Sequence, residues 1–341
     1  MSEPLLLGKN AVKREILEYL ICPECLPEEN SLRLGNFRCL DGEIIEGRLE
    51  CGCCGKAYLI SEGIACFEKG KSKKAKGKSE KPRSIGPQPS DLRSPTSVYE
   101  SPEVLSAYLW THYADLFGDP DVTQAYSEWA GQIAPVSGAA LDTGCATGRF
   151  SFEMSAKCDL VIGVDASMSF VSTARRIMRE RKLAFRIREE GLIHTEKSFS
   201  LRPEWDSAKV EFVVADAEAL PFRSGSFACV ASLNLIDKTP RPLEHIKEAC
   251  RAVRAGNAQL LISDPFSWSE QVCESEKWLG GTPYGRFAGA GIDNVARLLS
   301  EEDQRAGPAW RVTRRGAVWW KIRNHRNHFE LIRSLFLKAE R

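Results

Sequence analysis

Residues 141–150 read Leu141-Asp142-Thr143-Gly144-Cys145-Ala146-Thr147-Gly148-Arg149-Phe150. The stretch follows a short apolar run and opens a helical pattern, so it predicts a strand, a tight turn and the start of a helix. Gly144 has no Cβ and lets the backbone pass close to a ligand, and the free amides at the helix start suit a carboxylate. Ala146 stands where a pyrophosphate-binding turn has glycine, so the turn favours a smaller ligand.

Short apolar runs and helical patterns alternate on both sides of this turn. Strands are predicted at residues 139–141, 160–164, 210–214, 227–233 and 259–262, and helices from residue 147, at 168–181 and at 243–253. Two earlier helices are predicted at 104–116 and 122–133, and a terminal hairpin pairs 317–322 with 329–337 around 324–327. The alternation predicts an α/β fold, namely a Rossmann-like, doubly wound, mostly parallel sheet with a C-terminal antiparallel hairpin.

Acidic residues stand at the ends of three successive predicted strands. These residues are Asp142, Asp165 and Asp216. Because ligands of open α/β sheets bind outside the carboxyl ends of the strands, three acids in register predict one ligand site. An acid at the end of the second strand can accept hydrogen bonds from both hydroxyls of a ribose. Each acid taken alone could instead cap a helix or lie in a loop.

The series from residue 99 to residue 262 resembles the class I methyltransferases, which use S-adenosylmethionine. A dehydrogenase is the structural rival, but the sequence lacks a full Gly-x-Gly-x-x-Gly turn and carries Asp-Ala-Glu-Ala-Leu-Pro-Phe at residues 216–222. The resemblance implies one cofactor site. Its implied residues are Asp142, Gly144, Ala146 and Gly148 at the methionine end, Asp165 at the ribose, Asp216 and Ala217 at the adenine, and Asn234 near the methyl group.

The methyl acceptor is expected beside the ends of the fourth and fifth strands. The candidates there are Asn234 and Asp237, and then Asp264 and Trp268. The stretches Asn-Leu-Ile-Asp at 234–237 and Trp-Leu-Gly-Gly at 278–281 resemble enzymes that act on mercaptohistidine-type amino-acid derivatives. This resemblance implies a small-molecule or amino-acid-like acceptor. Methyl transfer is an in-line displacement that relies on positioning, so no general acid or base is assigned from the sequence.

Two Cys-x-x-Cys units lie near the N-terminus, with 25 residues between them. Each unit forms a knuckle that directs two thiolates to one point, and two knuckles give a closed tetrahedral site of the structural type. Thiolates favour zinc. Cys39 and Cys53 are possible alternates, although Cys53 lies between ligands of its knuckle and should point away. The predicted structural Zn²⁺ ligands are Cys22, Cys25, Cys51 and Cys54.

Residues 17–67 resemble the zinc-ribbon family of small methyltransferase-activator proteins. Three stretches carry the match: residues 20–25, which read Leu-Ile-Cys-Pro-Glu-Cys, residues 42–51 and residues 54–60. The resemblance implies a platform that binds or stabilises a methyltransferase domain. Bacterial rRNA guanine methyltransferases also carry such a ribbon, so RNA (rRNA or tRNA) is the alternative substrate. A third hypothesis is a non-catalytic zinc scaffold that binds a protein partner.

The chain is expected to contain two domains joined by a basic linker. The zinc-ribbon domain spans residues 1–68, the linker 69–97 and the methyltransferase domain 98–341. The linker has almost no large apolar residues and should stay mobile. It is either a solvated spacer or a basic arm that touches RNA or a membrane surface.

Composition excludes several classes of protein. Hydrophobic residues make up 43% and charged residues 27% of the chain, which is a globular balance. The formal net charge of +1 gives the whole molecule no polyanion-binding signature. No apolar run approaches the roughly 20 residues that span a bilayer, and the N-terminus shows no secretory pattern. A cytoplasmic protein without a membrane partner is therefore expected.

The sequence does not assign a single role to three further features. The insert at residues 182–208 has no predicted role. In the helix at 104–116, Tyr108, His112 and Tyr113 could fold over the cofactor, or they could simply form an amphipathic core helix. In the terminal hairpin, a basic cluster could grip a carboxylate or phosphate, or it could be a solvated turn. This cluster comprises Arg323, His325, Arg326 and His328.

Overall fold

The computed structural model describes residues 12–40, 42–67, 98–300 and 307–341. The predicted linker at 69–97 lies outside these residues, so the proposed domain boundaries remain a prediction. Within the described ranges, no helix combines the length and the apolar content needed to cross a bilayer.

The N-terminal module is a small antiparallel sheet. Two 3₁₀ turns, Arg14–Glu18 and Pro23–Cys25, precede it. Its strands are β1 (Leu32–Leu40), β2 (Glu43–Cys51), β3 (Ala57–Ser61) and β4 (Ile64–Cys66), each antiparallel to the next.

The rest of the described chain alternates strands with helices. The strands are β5 (Ala139–Thr143), β6 (Leu160–Asp165), β7 (Lys182–Glu190), β8 (Ile193–Ser200), β9 (Val210–Val214), β10 (Phe227–Leu233), β11 (Gln259–Asp264), β12 (Arg311–His325) and β13 (His328–Glu340). The helices are α1 (Pro102–Tyr113), α2 (Ala125–Ala130), α3 (Arg149–Ser155), α4 (Met168–Glu180), α5 (Pro242–Ala252) and α6 (Gly291–Leu299).

In the described part of the chain, eleven strands form one sheet in the order β1-β2-β3-β4-β9-β6-β5-β10-β11-β13-β12. The adjacent strands β9, β6, β5, β10 and β11 are parallel to one another, and β13 is antiparallel to both β11 and β12. This arrangement confirms the predicted mostly parallel α/β sheet and its C-terminal hairpin.

Helices cover both faces of the parallel strands. Successive residues of a strand point to opposite faces, and accordingly Val161 and Ile162 of β6 belong to two different buried clusters. One cluster takes in Ile246 of α5 and Val295 of α6. The other takes in residues of α1 to α4, including the fully buried Trp110. Burial on both faces explains why the strands read as continuous apolar runs.

Several predicted boundaries shift, and each shift has a local cause. The helix predicted from residue 147 begins at Arg149, because Gly148 has a left-handed φ of +87° that no helix accommodates. The helix predicted at 122–133 is only Ala125–Ala130, and the Lys157 ammonium binds the carbonyl oxygens of Ala130 and Ile133 beyond its end. The insert at 182–208 forms the separate β7–β8 hairpin.

The N-terminal module joins the larger sheet through β4 and β9. These two strands are parallel, with Cys66 opposite Val214, and the Phe67 amide donates to the Val214 carbonyl at 2.7 Å. A second contact lies in the loop that follows β9, where the Ile21 amide donates to the Pro221 carbonyl at 2.9 Å. The module therefore covers the edge strand that leads into the predicted adenine loop.

Candidate functional site

The turn after β5 has three residues in the left-handed region of φ, namely Gly144, Ala146 and Gly148. A Cβ at Gly148 would lie 2.6 Å from the Phe212 ring, so this glycine lets α3 start against β9 and has a packing role. A Cβ at Gly144 would lie 3.0 Å from a Leu235 methyl group. The turn is thus packed tightly from behind, and Ala146 accepts a φ of +44° that is unusual for a residue with a side chain.

The carboxylate of Asp165 holds this turn in place. Its Oδ2 accepts a hydrogen bond from the Ala146 amide at 2.9 Å, and its Oδ1 accepts one from the Ser167 amide at 2.9 Å. Burial raises the pKa of Asp165 to about 6, although both amides oppose that rise. The Ala166 amide also donates toward this carboxylate. A carboxylate has about four lone-pair sites, so Asp165 keeps acceptor capacity at the end of β6.

Asp142 lies deeper than Asp165. It is buried within β5, and its Oδ2 accepts a hydrogen bond from the Ser151 hydroxyl at 2.7 Å. Burial raises the pKa of Asp142 to about 7. The side chain therefore ties β5 to α3 beneath the turn.

The loop after β9 is organised by a histidine that sequence reasoning missed. Asp216 Oδ1 accepts a hydrogen bond from the Glu218 amide at 2.8 Å, which forms a local turn. His245 is fully buried, with Nε2 2.8 Å from the Ser232 hydroxyl and Nδ1 3.2 Å from the Ala217 carbonyl. Burial lowers the pKa of His245 to about 4, so the ring is neutral at pH 7 and donates one proton.

Aromatic rings surround the ends of β6 and β10. Tyr108 of α1 lies 4.8 Å from Phe170 and 6.2 Å from Tyr99, measured between ring centroids. Burial raises the pKa of Tyr99, and the charges of Asp165 and Asp237 raise it further. The predicted cofactor side and the predicted acceptor side therefore face the same rings.

The other two residues singled out in α1 contact the turn itself. The Tyr113 hydroxyl donates to the Thr147 carbonyl at 2.6 Å. His112 lies between two hydroxyls, with Nδ1 2.9 Å from Thr147 Oγ1 and Nε2 2.6 Å from the Tyr126 hydroxyl. Burial lowers the pKa of His112 well below its usual value, so this ring is also neutral. The helix thus serves both as core and as a cover of the turn.

Two buried carboxyl groups stand at the ends of β10 and β11. Asp237 is 1% exposed, and its Oδ2 accepts hydrogen bonds from the Ser267 amide at 2.8 Å and the Lys238 ammonium at 3.2 Å. Asp264 is fully buried and binds the amides of Phe266 and Asp237. Burial raises the pKa of Asp264 well above its usual value, and the charge of Asp237 adds to this effect.

Three buried polar atoms on these two loops have no hydrogen-bond partner among the described residues. They are Asn234 Oδ1, Asp237 Oδ1 and Trp268 Nε1. Asn234 and Phe266 both have φ of +54°, a strained value for non-glycine residues. Unpaired buried polar atoms cost free energy, and strain collects at functional sites, so the loops are shaped for something other than packing.

The Trp268 ring forms a wall of this region. It stacks on Trp278 with 6.1 Å between centroids and an interplanar angle of 13°. A Cβ at Gly281 would lie 2.8 Å from the Trp268 ring, so the glycine at this position makes room for the indole. The segment between β11 and α6 therefore supplies both rings of this wall.

Arg149, the residue after Gly148, anchors the turn from below and was not assigned a role from the sequence. Its guanidinium is 2% exposed and forms two hydrogen bonds with Asp115, at 2.6 and 2.9 Å. It also binds Glu153 at 2.8 Å and the His112 carbonyl at 2.5 Å. The network joins the end of α1 to the start of α3.

The four predicted metal ligands converge in the N-terminal module. Their sulfur atoms all lie within 4.8 Å of one another, with Cys22 and Cys54 at 3.6 Å and Cys25 and Cys51 at 3.7 Å. The exposed Cys53 does not belong to this group, as predicted. The Tyr58 hydroxyl lies 3.2 Å from the Cys22 sulfur.

The basic residues of the terminal hairpin do not form one group. Arg323 is buried and pairs with Glu189 of β7 at 2.8 Å. Arg326 is exposed at the tip, and the His325 and His328 rings pack edge to face at 5.6 Å. The sequence suggested one cluster because these residues are close along the chain, but the hairpin turns only Arg323 inward.

Comparisons with solved structures give distant likenesses. Phosphoethanolamine N-methyltransferase 2 of Haemonchus contortus, in complex with S-adenosyl-L-methionine, has 19% identity and a TM-score of 0.37, and the match covers 50% of this chain and 35% of that enzyme. The YcgJ protein of Bacillus subtilis has 13% identity and a TM-score of 0.40, with coverages of 63% and 97%. A Haloferax volcanii complex of a methyltransferase activator with a methyltransferase has 15% identity and a TM-score of 0.41, with coverages of 69% and 96%.

No curated protein matches the chain. A family model does match residues 141–260, and it describes a methyltransferase domain. The matched segment begins in β5, contains the turn, Asp165, Asp216, Asn234 and Asp237, and ends in β11. Residues 141–260 of the α/β sheet are therefore similar to a methyltransferase domain.

Proposed function

We propose that the chain is an S-adenosylmethionine-dependent methyltransferase that acts on a small molecule and contains one structural zinc ion. The observation that carries the cofactor proposal is Asp165, a half-buried carboxylate that lies at the end of β6 and holds the left-handed turn after β5. It lies inside the segment that matches the methyltransferase model.

The cofactor would lie across three strand ends. Asp165 keeps acceptor capacity beyond its backbone amide donors, which fits a ribose hydroxyl. Asp216 and the Ala217 amide would meet the adenine, on a loop that His245 fixes through the Ala217 carbonyl. Gly144 and Ala146 would line the methionine end, while Asp142 and Gly148 shape the same turn from behind. Asn234 Oδ1 offers an acceptor for the ammonium group.

The acceptor molecule would lie between the loops that follow β10 and β11. The cofactor supplies an electrophilic methyl group on a positively charged sulfur, and aromatic faces such as those of Tyr99 and Tyr108 stabilise cations. Asp237 Oδ1 has no partner among the described residues, so it can accept a proton or a hydrogen bond from the acceptor. Trp268 would position the acceptor and exclude water. An acceptor with an N–H or O–H group fits this set.

The zinc proposal rests on the spacing of the four thiols. Zinc bound tetrahedrally at about 2.3 Å from each sulfur places neighbouring sulfurs about 3.8 Å apart. The observed separations of 3.6 and 3.7 Å match that requirement. Four thiolates close the coordination sphere, so the ion would be structural. The module would then be a zinc-ribbon domain at residues 1–68, and its surface leaves room for a protein partner.

RNA is the second candidate acceptor. The basic segment 69–97 would supply phosphate contacts in that case, but the buried acids Asp237 and Asp264 at the acceptor side disfavour a polyanion next to the methyl group. A screen of metabolite and RNA pools with labelled S-adenosylmethionine separates the two candidates. Label found in the RNA fraction alone would show that RNA, and not a small molecule, is the methyl acceptor.

Replacing Asp165 by alanine is expected to weaken S-adenosylmethionine binding about tenfold to a hundredfold. The reason is that a charged hydrogen-bond acceptor is worth roughly 1.5–3 kcal/mol. Titration calorimetry on the full chain measures this change, with the exposed Asp121→Ala as the control of equal charge. NAD should bind poorly to all three proteins. Tight NAD binding without S-adenosylmethionine binding would refute the methyltransferase proposal. Unchanged S-adenosylmethionine affinity in Asp165→Ala would show that the ribose does not bind at Asp165.

Replacing Asp237 by asparagine is expected to reduce turnover of the acceptor found in the screen by about a hundredfold to ten-thousandfold. The variant keeps the shape of the side chain but removes the charge that would take a proton. S-adenosylmethionine affinity should stay within a factor of a few, because Asp237 lies on the acceptor side. A variant with full turnover would exclude Asp237 from the reaction, and lost cofactor affinity would place it at the cofactor.

A further inference from the structure

A cavity of about 210 Å³ lies outside the proposed methyltransferase site. It is lined by α1, the β7–β8 hairpin and the end of β12. Glu103, Ser106 and Trp110 line it from α1. At 100° per residue these side chains lie on the side of the helix opposite Tyr108 and His112, so the cavity and the proposed cofactor site share α1 as a common wall.

Arg323 projects into this cavity with a free hydrogen-bond donor. The residue is 8% exposed, and one of its terminal nitrogens, Nη2, binds Glu189 at 2.8 Å. The other, Nη1, is buried and has no partner among the described residues. Leaving a buried donor of a charged group without an acceptor is unfavourable. A ligand in the adjoining cavity could supply the hydrogen-bond acceptor that Arg323 Nη1 lacks among the described residues.

The remaining charges around the cavity are mostly positive. Arg186, Arg188 and His194 of the β7–β8 hairpin line it together with Arg323, and Glu103 is the one acidic lining residue. Arg186 forms no ion pair within the described ranges, and its side chain is exposed at the entrance. The start of α1 also contributes the positive end of its helix dipole. An anion is therefore favoured over a neutral or cationic group.

We propose that this cavity binds the phosphate group of a small ligand. The volume lies below the range of about 300–1,000 Å³ that is typical of pockets for drug-sized molecules, so it admits a compact group. Guanidinium groups bind phosphate through a planar pair of donors, and a cavity lined by more than one arginine favours a doubly charged anion over a carboxylate. Glu103 would accept a hydrogen bond from a hydroxyl or ammonium group beside the phosphate.

Titration calorimetry of the full chain with inorganic phosphate tests the proposal. Wild-type protein should bind one phosphate, and Arg323→Gln and Arg186→Gln should each weaken binding about tenfold to a hundredfold, since each removes a charged donor. Arg326→Gln removes the same charge at the exposed tip of the hairpin and should leave the affinity unchanged. Acetate, measured in parallel, should bind more weakly than phosphate.

Three results would overturn the proposal: no saturable phosphate binding by the wild type, equal weakening in all three variants, or acetate binding as tight as phosphate. Thermal melting shows whether Arg323→Gln is folded, because this variant also leaves Glu189 without its ion pair. If it is unfolded, Arg186→Gln decides, since Arg186 is exposed and its loss should not disturb the core. The test needs no methyl transfer, so its outcome is separate from that of the proposed activity.

Discussion

Replacing Cys22 and Cys51 together by alanine is expected to abolish stoichiometric zinc binding and to weaken S-adenosylmethionine binding in the other domain. Structural zinc sites contribute roughly 10–16 kcal/mol of apparent binding free energy to folding, so the module should not fold without the ion. A series of contacts connects the four thiols to β9, the strand that precedes the proposed adenine loop. Tyr58 lies against the Cys22 sulfur and 4.9 Å from the Phe67 ring, and Phe67 pairs with Val214 of β9.

Elemental analysis should give one zinc per chain for the wild type and for Cys53→Ala, whose thiol lies outside the cluster. The double variant should contain none. Chelation of the wild type should unfold the module first, as seen by hydrogen exchange in β2 and β3 before β5 and β6. Metal content that is unchanged in the double variant would exclude the proposed ligands. Zinc loss with full cofactor affinity would show that the two domains are energetically independent.

Replacing Arg149 by methionine is expected to destabilise the protein by about 3–5 kcal/mol, which is the usual cost of removing one partner from a buried ion pair. The guanidinium is almost fully buried and binds two carboxylates, those of Asp115 and Glu153. Methionine fills similar space but leaves both acids without this cation. Arg202, which lies 3.2 Å from Asp115 and is 41% exposed, compensates only in part.

Urea unfolding followed by circular dichroism measures the loss. Arg176→Met in α4 is the matched control, because Arg176 is 55% exposed and its pair with Glu180 should contribute less than about 1 kcal/mol. The folded fraction of Arg149→Met should also bind S-adenosylmethionine more weakly, since Arg149 supports the His112 carbonyl beside the turn. A loss no larger than that of the control would show that the network is not a principal support of the turn.

The sequence predicted the parallel strands well because each is buried on both faces and reads as an apolar run. The strands at 210–214 and 227–233 match their predicted bounds. The β7–β8 hairpin was missed, although Leu183, Phe185 and Ile187 alternate as buried residues along β7. Its period of two was hidden by a charged surface face, and its two-residue turn, Gly191-Leu192, was not recognised.

The sequence predicted only those residues of the candidate site that lie at the ends of strands. Asp165 and Asp237 were found because both come directly after apolar strands. Arg149 and His245 were not, because their roles depend on partners that folding brings together, such as Asp115, which is 34 residues away from Arg149. The cavity around Arg323 has the same origin, since its ion-pair partner is 134 residues away. Pairings at such distances leave no periodic signal.

The junction between β4 and β9 also bears on how the N-terminal module associates with the larger sheet. β4 has only three residues, and a single register pair links it to β9. Between separate chains, so short a strand contact would form only when the concentration of the free module exceeded its dissociation constant. Within one chain, the covalent connection gives the module an effective concentration that a separate chain would have to match. Covalent connection thus fixes the ratio of the N-terminal module to the larger sheet at one to one, and it adds to the buried core that the two parts share.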